Sequence, residues 1–459
     1  MTPRVVVVGA GPAGVRCAEV LVRAGLRPVL VDEGSRDGGQ IYRRQPEGFK
    51  RGYDTLYGSE AARARALHET FDRLRPHIDY HDQTLAWNAA DQALHLVRDG
   101  RAWSVPYDAI VVCAGATDRL MPVAGWQRAG CYSLGGAQIA LKSQACAIGS
   151  RVVFMGTGPL LYLVAAQYSK AGARVAAVLD TAPRGARFAA LPQLLARPGV
   201  LRKGMALVAS LRRAGVALRS GITPMAVDGD DAAGVRAVRY RDDAGREQAV
   251  DCDAVAMGYH LRAETQLADL LRCEFRHDAV ARQWLPAIDA WGRASVQGVY
   301  LAGDGARLQG ADGAEASGAL AGLAVLQDAG LPVPAGAASA SALLRELARM
   351  ERFRRGIARA FPWPAAQAAA LDDTVMACRC EGITVGELRR VVREEGACEV
   401  NRSKAFSRVG MGRCQGRYCG LAGAEIVAAS SGVDVALVGR LRTQAPVKPL
   451  PATTSKVTA

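Results

Sequence analysis

Long apolar runs are missing from this chain. No stretch of about 18 apolar residues free of charge occurs, which argues against a membrane-spanning helix. The N-terminus runs from Met-Thr-Pro-Arg straight into a valine strand, with no signal-peptide architecture, so the expected location is cytoplasmic, with contact to the inner face of a membrane only indirectly through a partner or an electron acceptor. No C-x-x-C occurs, which leaves a redox disulfide of the thioredoxin-reductase kind without support. Histidine is scarce. The six are His68, His77, His81, His95, His260 and His277, and none stands in a base–nucleophile arrangement, so no acid/base catalyst is named. The formal net charge is +14, but the arginines are scattered and are not gathered with aromatics, so nucleic acid is not an expected partner.

What is present starts with length. A chain of 459 residues suggests two or three domains. "RVVVVGAGPAGVRCAEVLVRAGLRPVLVDE" reads as a buried parallel strand, Val5 to Val8, then a helix over residues 13–24 and a second strand. Gly9, Gly11 and Gly14 have the G-x-G-x-x-G spacing, with Pro12 and Ala13 inside it. Gly9 permits the tight turn, Gly11 lets a pyrophosphate approach the backbone, and Gly14 lets helix and strand pack closely. Asp32 ends the second strand and is the expected ribose ligand, with Glu33 as the neighbouring candidate; an acid there favours FAD or NAD over a 2′-phosphate.

"RVVFMGTGPLLYLVAAQYSKAGARVAAVLD" repeats the pattern over residues 151–180, with Gly156 and Gly158 in the loop and Asp180 at the strand end. Leu161 stands at the third glycine position, where it pushes helix and strand apart or crowds a pyrophosphate. NAD, another nucleotide or nothing remain open as occupants.

Near the far end, Cys378-x-Cys380 and Cys414-x4-Cys419 form two thiol pairs. Four thiolates suit zinc or an iron–sulfur cluster, and ligand count does not separate them. FAD as the dinucleotide of the first fold would favour [2Fe–2S], because the cluster carries single electrons. Zinc and unligated thiols stay open. Thr384 and Glu387 between the pairs have capping-box spacing. Lys404 and Arg408 are candidates to offset cluster charge. The other seven cysteines read as small buried residues.

"YDAIVVCAGA", with Gly115, "GVYLAGDGA", with Gly303 and Asp304, and "GGQIYR", with Gly39 and Gln40, resemble the recurring motifs of the two-dinucleotide-binding flavoproteins. That resemblance implies FAD in the first fold, Asp304 on its ribityl chain, and Gly39 and Gln40 near the flavin. "CRCEGITVGEL…SRVGMGRCQGRYC" resembles the [2Fe–2S] domain of bacterioferritin-associated ferredoxins. With "GGAQIALKSQ" and "GTGPLLYLVAAQ", the whole resembles the A (alpha) subunits of opine oxidases, D-hydroxyproline dehydrogenase and the hydrogen cyanide synthase B subunit. His260 and Ala263 depart from that pattern. The resemblance implies an FAD-dependent oxidoreductase subunit that relays electrons from a substrate-oxidising flavoprotein partner; a further candidate partner is a small ferredoxin-like subunit. A stand-alone NAD(P)H reductase and a non-enzymatic scaffold are the other readings.

The expected fold class is α/β: a Rossmann-like FAD domain over 1–125 and 246–335, an inserted NAD-like domain over 126–245, a linker and helix over 336–370, a [2Fe–2S] domain over 371–432, and a tail over 433–459, disordered toward its Pro/Thr/Ser-rich end.

Overall fold

The computed structural model of the protein describes residues 2–48, 51–230 and 232–456. Two five-stranded parallel sheets organise it. The first runs in the order Val299–Leu301, Ala109–Val112, Val5–Val8, Val29–Val31, Asp79–His81. Strand order reverses beside Val5–Val8, which opens a crevice at the carboxyl end of that strand. Both faces of the sheet are covered. Val5 and Val7 face one core with Leu21 and Leu326, and Val6 and Val8 face another with Leu94 and Leu301. A continuous valine run therefore fits a strand buried on both sides, each side chain contributing about 1.5–3 kcal/mol.

The second sheet runs Ala217–Ser220, Arg174–Asp180, Arg151–Thr157, Ala254–Tyr259, Cys131–Ser133. The sequence pattern suggests a return of the chain to the first domain at residue 246. In the structure Ala254–Tyr259 still pairs with Arg151–Thr157, because its wholly buried apolar run needs a covered central position. The crossing lies beside two short antiparallel strands, Ala116–Asp118 and Leu261–Ala263.

A helix, Ala340–Ala360, follows the Pro/Ala/Ser stretch and is pinned by Arg354 to Asp278 at 2.8 Å and by Arg197 to Glu346 at 3.2 Å. Beyond it, the cysteine-bearing region packs helices Val385–Glu395, Val400–Ser407 and Gly420–Ser431 around Val385, Leu388, Val409 and Ile426. Thr384 and Glu387 form the capping box that their spacing predicts.

Two expectations need correction. The tail is not loose over residues 442–456. Val447 is buried, the Asp269 carboxylate binds both Arg440 and the Thr443 amide, and Ser455–Lys456 pairs with Arg101–Ala102. Composition favoured disorder, but one buried valine and a strand register hold the segment. Residues 457–459 lie outside the described residues. Of the seven isolated cysteines, five are buried, while Cys146 and Cys398 are exposed in turns that flank helices.

Candidate functional site

The glycine loop is built by close backbone approaches. Gly9 has φ +105, and a Cβ there would lie 2.4 Å from the Cys113 oxygen. A Cβ on Gly14 would lie 1.8 Å from the Gly9 oxygen. Gly11 caps the helix Pro12–Arg23 without a side-chain hydrogen bond, and no acid occupies the first turn. The first amides therefore remain available to an anion.

Other expected residues gather at this loop. A Cβ on Gly39 would fall 2.9 Å from Gly11 Cα and 3.7 Å from Pro12 Cδ, and one on Gly303 would fall 2.9 Å from Ala13 Cβ. Asp32 stands at the end of its strand, where Oδ2 accepts from the Ala10 amide at 2.5 Å and Oδ1 from the Gly34 amide at 2.6 Å. Each oxygen keeps a lone pair for a ribose hydroxyl. Burial raises this carboxyl, and the two amides oppose that. Glu33 turns away and pairs with Lys448 of the tail. Gln40 is exposed and accepts from Arg43 at 2.5 Å. Asp304 Oδ1 accepts from the Gln309 and Gly310 amides at 2.8 and 2.9 Å, and its second oxygen has no donor among the described residues. These residues fit FAD: an uncapped helix start, glycines where a Cβ would intrude, and two carboxylates with spare acceptor capacity.

Gly115, at φ +71, accepts at its oxygen from the Glu264 amide at 2.9 Å. The Glu264 carboxylate then binds Arg417 Nε at 2.7 Å. Arg417 lies inside the second cysteine pair, so one acid joins the first fold to the cysteine loop. Arg262 donates to the Gly416 and Arg417 oxygens at 3.2 and 3.0 Å, and Gln266 donates to the Gln415 oxygen at 2.8 Å. Sequence reasoning missed Glu264, Arg262, Gln266 and Arg417. No local pattern marks them, since their partners lie about 150 residues away.

The four thiols come together. Cys378 and Cys414 each hydrogen-bond Cys419, and Cys414 also meets Cys380. The Cys419 bond and the Gly410, Glu381 and Cys380 amides pull the Cys378 thiol down to about 6. Cys414 is lowered by its bond to Cys419 and by the Tyr418 and Gly416 amides, while Cys419 is raised as the shared donor. Thiolates with amide donors suit a metal. Among the described residues, however, no group of three or more His, Cys, Asp or Glu side chains has an arrangement that could hold a single metal ion. The thiols meet as a chain of pairwise contacts. Lys404 lies near Cys419, and the half-buried Arg262 feels both Cys419 and Cys414. Arg408 instead pairs with Glu381 at 2.9 Å.

Gly156 and Gly158 lie at the matching loop of the second sheet, with φ +142 and +109. Leu161 is buried between the helix and the sheet with Leu134, Phe154 and Val178. His260 covers the loop: a Cβ on Gly158 would meet its ring at 3.1 Å. Burial pushes the His260 ring down to about 4, helped by Arg119 and opposed by its bond to the Phe361 oxygen and by Asp180. A neutral buried histidine stabilises the fold above its unfolded pKa. That contribution falls as pH drops from about 6.5 to about 4, by up to about 3 kcal/mol and less for a ring that keeps some solvent contact. Urea melts at pH 7 and pH 5 are expected to show this loss, and His260→Gln to reduce it.

The first fold and its glycine cradle define a flavin-dependent oxidoreductase. Residues 3–318 match the Pyridine nucleotide-disulphide oxidoreductase family, and residues 378–456 match the Sarcosine oxidase A3 domain, which extends through the packed tail. Within that class, the chain belongs to the family of opine oxidase A subunits and hydrogen cyanide synthase HcnB subunits. It is 37% identical to the opine oxidase A subunit of Rhizobium meliloti, over 97% of this chain and 86% of that protein. It is 31% identical to the hydrogen cyanide synthase HcnB subunit of Pseudomonas protegens, over 97% of this chain and 96% of that protein. The fold is similar to that of L-proline dehydrogenase from P. horikoshii, with a TM-score of 0.66 at 17% identity, covering 98% of this chain and 78% of that one. No helix among the described residues is long and apolar enough to cross a membrane.

Proposed function

We propose that this chain is the FAD- and [2Fe–2S]-carrying subunit of a heteromeric amine or imino-acid dehydrogenase of the opine or D-hydroxyproline type. Its task is to pass electrons from a partner flavoprotein that oxidises the substrate to an acceptor. Gly9, Gly11, Gly14, Asp32, Gly39, Gly115, Gly303 and Asp304 hold the FAD, and Cys378, Cys380, Cys414 and Cys419 hold the cluster. FAD, when bound, supplies two-electron chemistry that can be released one electron at a time. The chain's own residues bind, orient and exclude water. Glu264 and Arg417 fix the spacing between the flavin loop and the cysteine loop.

The observation that carries this reading is that direct link, Gly115–Glu264–Arg417, between an FAD-type cradle and four thiols in contact. The test is anaerobic purification together with the partner flavoprotein, assay of FAD, iron and sulphide, then addition of secondary amines. Flavin bleaching followed by a paramagnetic cluster signal, only when the partner is present, is the expected result. Zinc in place of iron, or substrate oxidation by this chain alone, defeats it.

A further inference from the structure

The second fold has the strand–loop–helix form of a dinucleotide site, but its ligand groups are already spent. Asp180 stands where Asp32 stands in the first fold, and the two carboxylates differ sharply. Asp180 is fully buried. Its Oδ1 accepts from Thr157 Oγ1 at 2.7 Å and the Ala182 amide at 2.8 Å. Its Oδ2 accepts from Tyr162 OH at 2.7 Å and Arg187 Nη2 at 2.6 Å. A carboxylate offers about four lone-pair sites, and here four donors fill them. No acceptor remains for a ribose hydroxyl.

The loop beyond it is covered. The His260 amide donates to the Thr157 oxygen at 3.1 Å, which continues the ladder between the two central strands and sets His260 at their carboxyl ends, where a dinucleotide would cross. The His260 ring faces Gly158 and hydrogen-bonds the Phe361 oxygen. The Phe361 ring lies 6.3 Å from that of Tyr162, and the Arg187 guanidinium sits 5.3 Å from the Phe361 ring centre. Phe361 thus completes a lid over the first turn of the helix Pro159–Lys170.

The covering segment continues to the cysteine-bearing region. Trp363, two residues on, is buried beneath Arg119 at 3.7 Å, packs edge-on to Tyr259 at 6.0 Å, and donates from Nε1 to Glu425 at 3.0 Å. Glu425 is held by both arms of Arg282, at 3.0 and 2.8 Å, and lies on the helix that begins after Cys419. Trp126 donates to the Met376 oxygen at 2.7 Å, two residues before Cys378.

We infer that the cleft of the second fold is filled by the chain's own segment 361–363, and that it serves as the mount for the cysteine-bearing region in place of a nicotinamide dinucleotide site. Electrons then enter from a donor other than NADH or NADPH. The inference does not depend on what the four cysteines hold.

The test uses the full holoprotein. NADH and NADPH are titrated to about 1 mM by calorimetry and, without oxygen, by flavin absorbance, with dithionite as the control that the flavin is reducible. No saturable heat and no bleaching by either nucleotide is expected; saturable binding or bleaching overturns the inference. Hydrogen exchange on Phe361→Ala tests the mount. Amides of residues 158–162 and 376–380 are expected to exchange together about tenfold faster or more. Faster exchange confined to residues 361–363 shows that the segment neither covers the cleft nor braces the cysteine region, and also overturns it.

Discussion

Cys414→Ser is expected to give a protein that keeps its flavin and loses its iron and sulphide. Cys414 is the middle of the thiol chain, in contact with both Cys380 and Cys419, and the Cys419 bond and the Tyr418 and Gly416 amides hold it toward the thiolate. A serine hydroxyl at that point stays protonated and is a poor partner for iron. Removal of groups that merely orient a ligand costs about 10–100-fold in metal affinity, so loss of a ligand is expected to cost more. The glycine loop of the FAD cradle is built by its own backbone approaches, and Glu264, which joins Gly115 to the cysteine loop, does so through Arg417, which remains. FAD, iron and sulphide measured per chain decide the matter. Flavin lost together with iron makes the two sites one cooperative unit, against the picture of separable cofactors.

Gly14→Ala is expected to be the more damaging change although it adds one methyl group. Its Cβ would stand 1.8 Å from the Gly9 oxygen and 3.5 Å from Val7 Cγ1. The obstacle is backbone, so no rotamer relieves it, and the loop must open or the helix must move off the sheet. Overpacking of this kind costs about 3 kcal/mol or more, and the displaced loop is the one that faces the pyrophosphate. Flavin content near zero and a melting temperature lowered by several degrees are the expected readouts. Gly185→Ala is the control. It meets nothing within 4 Å, and an exposed change of this kind stays within about 0.5 kcal/mol. Flavin retained at full level in Gly14→Ala shows that the close approach does not govern binding.

The parts of the fold legible in the sequence were local. The valine strand, the three glycines and the capping box each depend on neighbours within a few residues. Asp32 and Asp180 show the limit. Both are acids at the end of a second strand, and their sequence contexts read alike. Only the folded chain shows that Asp180 is met by Tyr162 and Arg187 while Asp32 is met by two backbone amides. Leu161 carries only part of the signal for a related reason. It marks a departure from the glycine pattern, but the cleft is covered by His260 and Phe361, which belong to other segments. The cysteine pairs were legible by spacing as thiols that the fold would gather. Lys404 was legible from its place between the pairs, but Arg262, Glu264 and Arg417 were not, because charge at a distance leaves no periodic trace.

The packed tail bears on how the molecule is made. Val447 joins the core that Val6 and Val8 begin, and Ser455–Lys456 extends the sheet that contains Arg101–Pro106. A chain that leaves the ribosome from its N-terminus exposes the valine strand first and these closing residues long afterwards. The nucleotide fold at the front therefore stays unsealed until the cysteine-bearing region has emerged.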